Sequence, residues 1–424
     1  MGRRVTLVAW GSRGDVTPLV SLGRGLADAG DDVTVLASRD FGGTVTDAGL
    51  RHAAFEISVR QAAESPVGRA WLGGHRTIVG EGRALQRVLR VFAGPLVDGL
   101  WDQTREADLV VSGILTADAC ASLAAARGQR HAVALLTPVL PSRHGPSTPT
   151  ALRPDRTLAA NAWAGQAVLT ASYRLLRVPG DEVRARLGHR RSSPGWLHRQ
   201  LTSVPVLLGA SPRVVPPAGD QPTLHVTGYW PPYGWPSWSE AHDDIQERFA
   251  GARAAGRPVV YFGFGSMTTT DPRGTLDLLL SAADRAGVHA VIGPGWSGMA
   301  NYLLPHEHVT VAEGLSHAWL FSHCDAVVHH GGAGTTGSAI RSGVPQVVVA
   351  HMGDQPYWAR RVHALGVAAA PLRRTGLQPR RLARSVRHVV DGEHAQQRRR
   401  AAAALADTVR SETGVGHAVA ALEG

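Results

Sequence analysis

The sequence Asp325-Ala-Val-Val-His-His-Gly-Gly-Ala-Gly-Thr-Thr-Gly337 decides the fold of this 424-residue chain. It opens with an apolar run at 326–328 that is long enough for a buried strand. Glycine and alanine fill positions 331–334, and the helical pattern that follows stops at Gly343. Glycines let the backbone approach a ligand closely, and the unpaired N–H groups of a first helical turn favour anions. The stretch therefore predicts a strand, a tight turn and a helix N-terminus that binds phosphate.

Five residues of this turn could contact a diphosphate through backbone amides, hydroxyls or the imidazole ring: His330, Gly332, Gly334, Thr335 and Thr336. His330 stands at the exit of the predicted strand, where its ring adds a donor. His329 precedes it and points to the opposite face, so we expect it to be packed. The alternative is a packed strand-to-helix turn in which both histidines are incidental.

A second strand and helix start follow directly. Residues 343–350 are typical of a parallel strand, and they end in His351-Met-Gly-Asp-Gln355 before a proline that begins the next helix. Because the carboxyl ends of neighbouring parallel strands share one edge of a sheet, we expect Asp354 and Gln355 to lie beside the phosphate turn. A carboxylate and an amide can bond to the vicinal hydroxyls of a sugar. The two segments together indicate a sugar nucleotide.

A third glycine-rich exit occurs earlier in the chain. Residues 257–262 are typical of a buried strand, and Gly263-Phe-Gly-Ser-Met267 follows it. Ser266 could donate to a phosphate, although a turn or cap role is equally compatible with the residues alone.

The segments Trp319-Leu-Phe, 327–336, Gly343-Val-Pro345 and Gly353-Asp-Gln355 together resemble the donor-binding signature of the UDP-glycosyltransferase superfamily. The branch that they resemble contains sterol glucosyltransferases and bacterial glycopeptide and macrolide glycosyltransferases. The resemblance extends from the first strand to about residue 370. It implies an α/β protein of the GT-B fold, in which two Rossmann-like domains with parallel sheets face each other across a cleft.

The resemblance also suggests roles for residues that the pattern alone does not assign. It strengthens Ser266 as a diphosphate contact and implies that Trp296 and Leu315 bind the nucleoside. Related sequences often carry Pro-His-Asp or Pro-Gln ahead of the Trp-Leu-Phe segment, where this chain has residues 316–318, Ser-His-Ala. That segment frames the base, so the choice between uridine and thymidine stays open.

The N-terminus predicts a strand at 4–10, a loop at 11–16 and a helix. Thr17 and Pro18 fit the N-cap and the first helical position, which would leave Asp15 available for other work. The resemblance implies that Asp15, in a Gly-x-Arg-Gly-Asp loop, is the catalytic base. It also implies that this loop contacts phosphate or acceptor through Ser12, Arg13 and Gly14. The loop lacks the Gly-x-Gly-x-x-Gly spacing of a nicotinamide site.

Length and composition divide the chain into two domains. We expect an acceptor-binding domain at 1–210, a Pro- and Trp-rich linker at 211–240, a nucleotide-sugar domain at 241–405 and a helix at 406–424 that crosses back to the first domain. The net charge of +10 comes entirely from arginine, because the sequence contains no lysine. The arginine clusters fall on helical segments without interleaved aromatic residues, which favours solvated faces over a nucleic-acid surface. No apolar run reaches the length of a membrane span, and the two distant cysteines suit the cytoplasm.

These observations favour an inverting hexosyltransferase that needs neither a metal nor a cofactor. Its partners would be a UDP- or TDP-sugar and the hydroxyl of a hydrophobic small molecule, such as an antibiotic, another natural product or a sterol. No Asp-x-Asp pair of the metal-binding type occurs in a suitable loop. The alternatives are a sugar-nucleotide epimerase or isomerase of the same fold, and a non-catalytic protein that binds a sugar nucleotide. The sequence does not distinguish O- from N- or C-glycosylation.

Overall fold

The structure is a computed structural model that describes residues 2–72, 78–193, 195–233, 241–265, 271–293, 295, 298–303, 306–312 and 314–423. Its described residues form two compact units. The first contains 2–71, 78–233 and 412–423, and the second contains residue 72 and 241–411. Each unit is built on one parallel sheet, so we describe them in turn.

The sheet of the first unit has the strand order β3-β2-β1-β4-β5-β6-β7 and only parallel pairs. The strands are β1 (Arg4–Ala9), β2 (Asp32–Ser38), β3 (Arg51–Phe55), β4 (Leu109–Ser112), β5 (Arg130–Leu135), β6 (Val206–Leu208) and β7 (Leu224–Val226). Near-continuous apolar runs form the central strands because helices cover both faces of such a sheet. The strand predicted at 4–10 is confirmed as β1, which ends one residue earlier.

Helices of the first unit pack on both faces of this sheet. They are α1 (Arg13–Asp28), α2 (Gly42–Thr46), α3 (Val59–Glu64), α4 (Pro66–Leu72), α5 (Ile78–Gln103), α6 (Ala117–Arg127), α7 (Ala159–Leu176), α8 (Val178–Arg186) and α9 (Trp196–Leu201). A final helix, which we label α17 (Gly414–Glu423) by its place in the chain, packs against α1.

The start of α1 differs from the prediction. Its N-cap is Ser12 rather than Thr17, and Pro18 lies inside the helix. Pro18 is the sixth helical residue, so its missing N–H removes the hydrogen bond that would otherwise reach the Gly14 carbonyl. Asp15 occupies the third helical position, and its Oδ2 accepts hydrogen bonds from the Ser12 amide at 2.8 Å and the Ser12 hydroxyl at 3.1 Å. The expectation that Asp15 is spared from capping is therefore wrong.

The sheet of the second unit has the order β10-β9-β8-β11-β12-β13, again with parallel pairs throughout. Its strands are β8 (Val259–Gly263), β9 (His289–Gly293), β10 (Val309–Val311), β11 (Ala326–His329), β12 (Gln346–Ala350) and β13 (Leu372–Arg373). Its helices are α10 (Ala241–Ala254), α11 (Pro272–Ala286), α12 (His317–Ser322), α13 (Ala333–Ser342), α14 (Gln355–Ala364), α15 (Pro379–Val390) and α16 (Gly392–Arg410). The strands predicted in this half are confirmed, and two Rossmann-like units result.

The segment predicted as a linker contributes to the first unit. Its strand β7 pairs with β6 through Val206 and Leu224, so the first sheet extends beyond residue 210. Residues 234–240 lie outside the described part of the chain. Near the other end, the boundary drawn at 405 falls inside α16, and the chain re-enters the first unit at Glu412. No helix in the described ranges has both the length and the hydropathy that a bilayer crossing requires.

A buried ion pair joins α6 to α8 in the first unit. Arg184 and Asp118 are 5% and 6% exposed, and the guanidinium bonds both carboxylate oxygens, at 2.8 and 3.1 Å. Ser122 and Asp181 add hydrogen bonds to Arg184 at 3.0 and 2.8 Å. A buried charge that loses its partner is strongly unfavourable, so this cluster should tie the two helices together.

We expect Asp118→Ala to lower the free energy of unfolding by about 3–5 kcal/mol, because it leaves the Arg184 guanidinium under-compensated. The matched control is Asp98→Ala, which removes the 2.6 Å pair with Arg186 at a carboxylate that is 61% exposed. That change should cost about 0–1 kcal/mol. Urea unfolding of both variants measures the difference, and equal losses would contradict the role of burial.

Candidate functional site

Three strand exits meet at one edge of the second sheet. The last residue of β11, His329, is in register with Gly263 of β8 on one side and Val348 of β12 on the other. Beyond the strands, the rings of Phe264 and His351 lie 4.7 Å apart. A Cβ placed on Gly331 would lie 3.2 Å from the carbonyl oxygen of Gln355. The glycine-rich turn and the start of α14 are therefore adjacent, as the strand order requires.

In the part of the chain that the structure describes, the N-terminus of α13 carries no side-chain cap. Its N-cap is Gly332, and Thr336 makes the first helical bond to the Gly332 carbonyl at 2.9 Å. The amides of residues 333–335 precede that bond and so have no partner within the helix. Gly334 is exposed and Thr335 half-buried. This end of the helix presents N–H groups where an anion is favoured.

His330 lies between two glycines that make room for its ring. A Cβ on Gly265 would stand 3.0 Å from Cε1, and one on Gly332 would stand 2.5 Å from Nε2. Within the described residues its Nδ1 is buried without a hydrogen-bond partner. Burial, reinforced by neighbouring histidines, lowers the pKa of His330 well below its ordinary value. The ring is therefore neutral near pH 7 and offers one N–H donor to a ligand at this turn.

Thr336 is placed less favourably than the sequence indicated. It is fully buried, and its hydroxyl has no partner in the part of the chain that the structure describes. Its contact with a diphosphate stays a prediction. The half-buried Thr335, one position earlier, is the better candidate.

Asp354 and Gln355 both have partners within the protein. The Gln355 Oε1 accepts from the amides of His351 at 2.7 Å and Met352 at 3.1 Å, which closes the loop after β12. The Asp354 Oδ2 accepts from the indole N–H of Trp358 at 2.8 Å. These bonds fix both side chains beside the turn, and their contact with sugar hydroxyls stays a prediction.

His351 is a site residue that the sequence reasoning missed. Its Nδ1 bonds the Val349 carbonyl at 2.8 Å, and since a carbonyl only accepts, Nδ1 carries the proton and Nε2 is an acceptor. Burial lowers its pKa to about 4. With Phe264 and Arg374 it lines a cavity of about 210 Å³, which is smaller than an ordinary ligand pocket. Like His330, His351 directly follows a strand, and that position in the sequence could have marked it as a candidate.

The predicted nucleoside contacts are described only in part. Leu315 is half-buried and packs against the core cluster of the second unit, which includes Leu320 and Phe321. Ser316 caps α12 by accepting from the Trp319 amide at 3.0 Å. The predicted sites at Ser266 and Trp296 lie outside the described residues.

In the first unit, the predicted loop residues form the N-cap and first turn of α1. Arg13, Gly14 and Asp15 are exposed, and Ser12 is half-buried. Gly11 has a φ of +147°, and a Cβ there would stand 2.2 Å from the Asp15 Oδ2. Gly11 therefore leaves space for the Asp15 carboxylate, which two Ser12 groups hold in place while it remains accessible to solvent.

The chain is similar to known glycosyltransferases in sequence and in fold. Residues 301–422 match the family model of the erythromycin biosynthesis protein CIII-like C-terminal domain. The chain is 29% identical over 437 residues to a sterol 3-β-glucosyltransferase of Aspergillus fumigatus. The aligned region covers 99% of this chain and 29% of that protein. The chain thus spans less than a third of the length of this fungal relative.

Two solved structures share the fold over nearly the whole chain. The glycosyltransferase of kitacinnamycin matches with a TM-score of 0.67 at 19% identity, covering 100% of this chain and 99% of that one. The glycosyltransferase VinC, in complex with dTDP, matches with a TM-score of 0.65 at 21% identity, covering 99% and 100%. The resemblance to the UDP-glycosyltransferase superfamily is confirmed, and the fold is GT-B. In GT-B terms, the first unit is the N-terminal domain and the second is the C-terminal domain.

We expect Gly332→Ala to weaken the binding of inorganic pyrophosphate by tenfold or more, about 1.4 kcal/mol, because the new methyl group must displace the His330 ring. Gly251→Ala in α10 is the matched control, since nothing lies within 4 Å of its added Cβ. Calorimetry measures both affinities. If the double variant Gly332→Ala/His330→Ala binds pyrophosphate no more weakly than His330→Ala alone, the loss of affinity in Gly332→Ala acts through the His330 ring. Pyrophosphate binding by Gly332→Ala equal to that of the parent would contradict the proposed geometry.

Proposed function

We propose that this protein is an inverting glycosyltransferase. It moves a hexose from a UDP- or TDP-sugar to a hydroxyl of a hydrophobic small molecule. The donor binds to the second unit at the β11–α13 turn, and the first unit supplies the acceptor site and the base. The relatives are called sterol and natural-product glycosyltransferases, which supports this acceptor class.

The observation that carries the proposal is the N-terminus of α13, uncapped among the described residues, beside the buried Nδ1 of His330, which has no partner among them. Buried polar atoms are rarely left unpaired, so an orphaned ring nitrogen next to unpaired helix amides fits an anionic ligand. A diphosphate would satisfy both. The neighbouring Asp354 and Gln355 then lie where the sugar of a nucleotide sugar begins.

Hydrogen-bond donors would stabilise the departing diphosphate without a metal or cofactor. As the bond to the anomeric carbon breaks, negative charge grows on the leaving phosphate oxygen. In this proposal the helix amides and the neutral His330 ring are in place before the anion binds, so they need no reorganisation in the transition state. A donor of this kind is typically worth on the order of 3 kcal/mol.

Mixing the protein with UDP- and TDP-hexoses and a panel of sterols and polyketide aglycones tests the proposal. We expect an acceptor mass gain of one hexose, the opposite anomeric configuration by NMR, and the same rate in excess EDTA. Conversion of the donor sugar without an acceptor would instead indicate an epimerase. Binding of the donor without any product would indicate a non-catalytic partner protein.

Asp15 is the base that we propose for the acceptor hydroxyl. Its carboxylate is exposed, is held by two donors of Ser12, and has space guaranteed by Gly11. As the acceptor oxygen attacks the anomeric carbon, Asp15 would take its proton while the diphosphate leaves from the opposite face. Holding the base and the acceptor oxygen in line with the anomeric carbon lowers the activation barrier, and orientation of this kind can supply roughly 7–11 kcal/mol.

We expect Asp15→Asn to lower turnover by about a hundredfold or more, because an amide cannot accept the proton. Its oxygen can still accept the Ser12 amide, so the helix start and the thermal unfolding temperature should stay near those of the parent. UDP affinity should also be unchanged. Ser12→Ala is the control, because it removes one hydrogen bond to Asp15 and keeps the carboxylate. If Asp15→Asn turned over at the rate of the parent, a different group would accept the proton of the acceptor hydroxyl.

A further inference from the structure

The buried histidine next to the proposed diphosphate contact has both ring nitrogens engaged. His329 is the last residue of β11 and is 0% exposed. The Gly331 amide donates to its Nδ1 at 3.1 Å, and its Nε2 lies 3.0 Å from the Gln346 Oε1. An amide only donates and a carbonyl oxygen only accepts, so Nδ1 is bare and Nε2 carries the proton. The two partners thus specify one neutral tautomer.

The hydrogen bond from Gly331 fixes the peptide that follows His330. Gly331 has a φ of +90°, and a Cβ on it would lie 2.7 Å from Val348 Cγ1. The backbone therefore turns sharply where no side chain fits, directly between the His330 ring and the N-cap of α13. The direction of the Gly331 amide sets the directions of both neighbours.

Gln346 anchors the other side of His329 to the sheet. Gln346 is 0% exposed and is the first residue of β12. Its backbone N–H donates to the Val367 carbonyl at 3.0 Å, and its backbone carbonyl accepts from the Ala369 amide at 2.9 Å. Both backbone bonds of Gln346 thus go to the segment 367–369. The series Gln346, His329 and Gly331 connects this rigid frame to the turn.

We propose that His329 is a positioning residue for donor binding: its Nδ1 holds the Gly331 amide away from the ligand and so orients His330 and the α13 amides toward the diphosphate. The claim rests on the proposed function, because it assigns a task to the same turn. Burial lowers the pKa of His329 to about 4, so the ring is neutral and Nδ1 is an acceptor under ordinary conditions.

Two substitutions separate the halves of this arrangement. The Asn side-chain oxygen lies two bonds from Cβ, as Nδ1 does, so His329→Asn keeps an acceptor for Gly331 and loses the link to Gln346. The Gln amide lies three bonds from Cβ, as Nε2 does, so His329→Gln keeps a partner for Gln346 and loses the acceptor. Each variant gives up one buried hydrogen bond, typically about 1 kcal/mol, so their stabilities should be similar.

The experiment measures UDP and dTDP affinity by calorimetry, together with amide hydrogen exchange over residues 329–333 without nucleotide. We expect His329→Asn to bind within about threefold of the parent and to keep slow exchange. We expect His329→Gln to bind at least tenfold more weakly, about 1.4 kcal/mol, and to exchange faster. Thermal unfolding of both variants checks that the difference is not one of stability.

Two results would overturn the inference. If the parent binds nucleotide and both variants lose affinity equally, or His329→Gln binds like the parent, His329 only supports the core and the proposed function is unaffected. If the parent binds neither UDP, dTDP nor inorganic pyrophosphate, the proposed function falls first, and the positioning task of His329 falls with it.

Discussion

Parallel pairing of β11 with both β8 and β12 is the constraint on which the candidate donor site depends. The register brings His329 level with Gly263 and Val348; β8 and β11 end at this level, and β12 continues to Ala350. The residues after each strand then have to share a small space. Glycines at 265, 331 and 332 provide it, since a Cβ at any of them would lie 3.0 Å or less from a neighbouring side chain. The chemistry of the site follows from this crowding.

The crowding also keeps the three histidines of the proposed anion site neutral. His329, His330 and His351 lie close together, and burial lowers the pKa of each, His329 and His351 to about 4. Three imidazolium ions could not occupy this volume, and three neutral rings can. An anion would therefore meet neutral imidazoles and aligned N–H dipoles at this turn. Such dipoles are oriented before the ligand binds, whereas water molecules would have to reorient around the charge. A preorganised site therefore stabilises the charge at a lower free-energy cost than water does.

The sequence was informative where a pattern is local and less so where packing decides. Apolar runs bounded by glycines predicted the central strands of both sheets, and the His-Gly-Gly-Ala-Gly segment predicted the turn. The predicted start of α1 was wrong. Thr17 and Pro18 fit a helix start by local sequence alone, whereas the pairing of Ser12 with Asp15 depends on side-chain geometry. The strand β7 was missed in a Pro-rich segment because a strand of three residues carries almost no periodicity. The partners of His329 and Gln355 could not be predicted, since they lie across a turn or on a neighbouring strand.

The return of the chain to the first unit at Glu412 has a consequence for synthesis. The apolar side chains of Ala418, Val419 and Leu422 belong to the same core cluster as Leu7 and Leu22, and the Leu422 carbonyl accepts from Arg3 at 2.7 Å. The second unit is thus inserted, in sequence, between two parts of the first. A domain that folds during translation normally does so as soon as its own segment has left the ribosome. Here the first unit cannot complete its core until α17, its last segment, has been made, although its other segments are translated first.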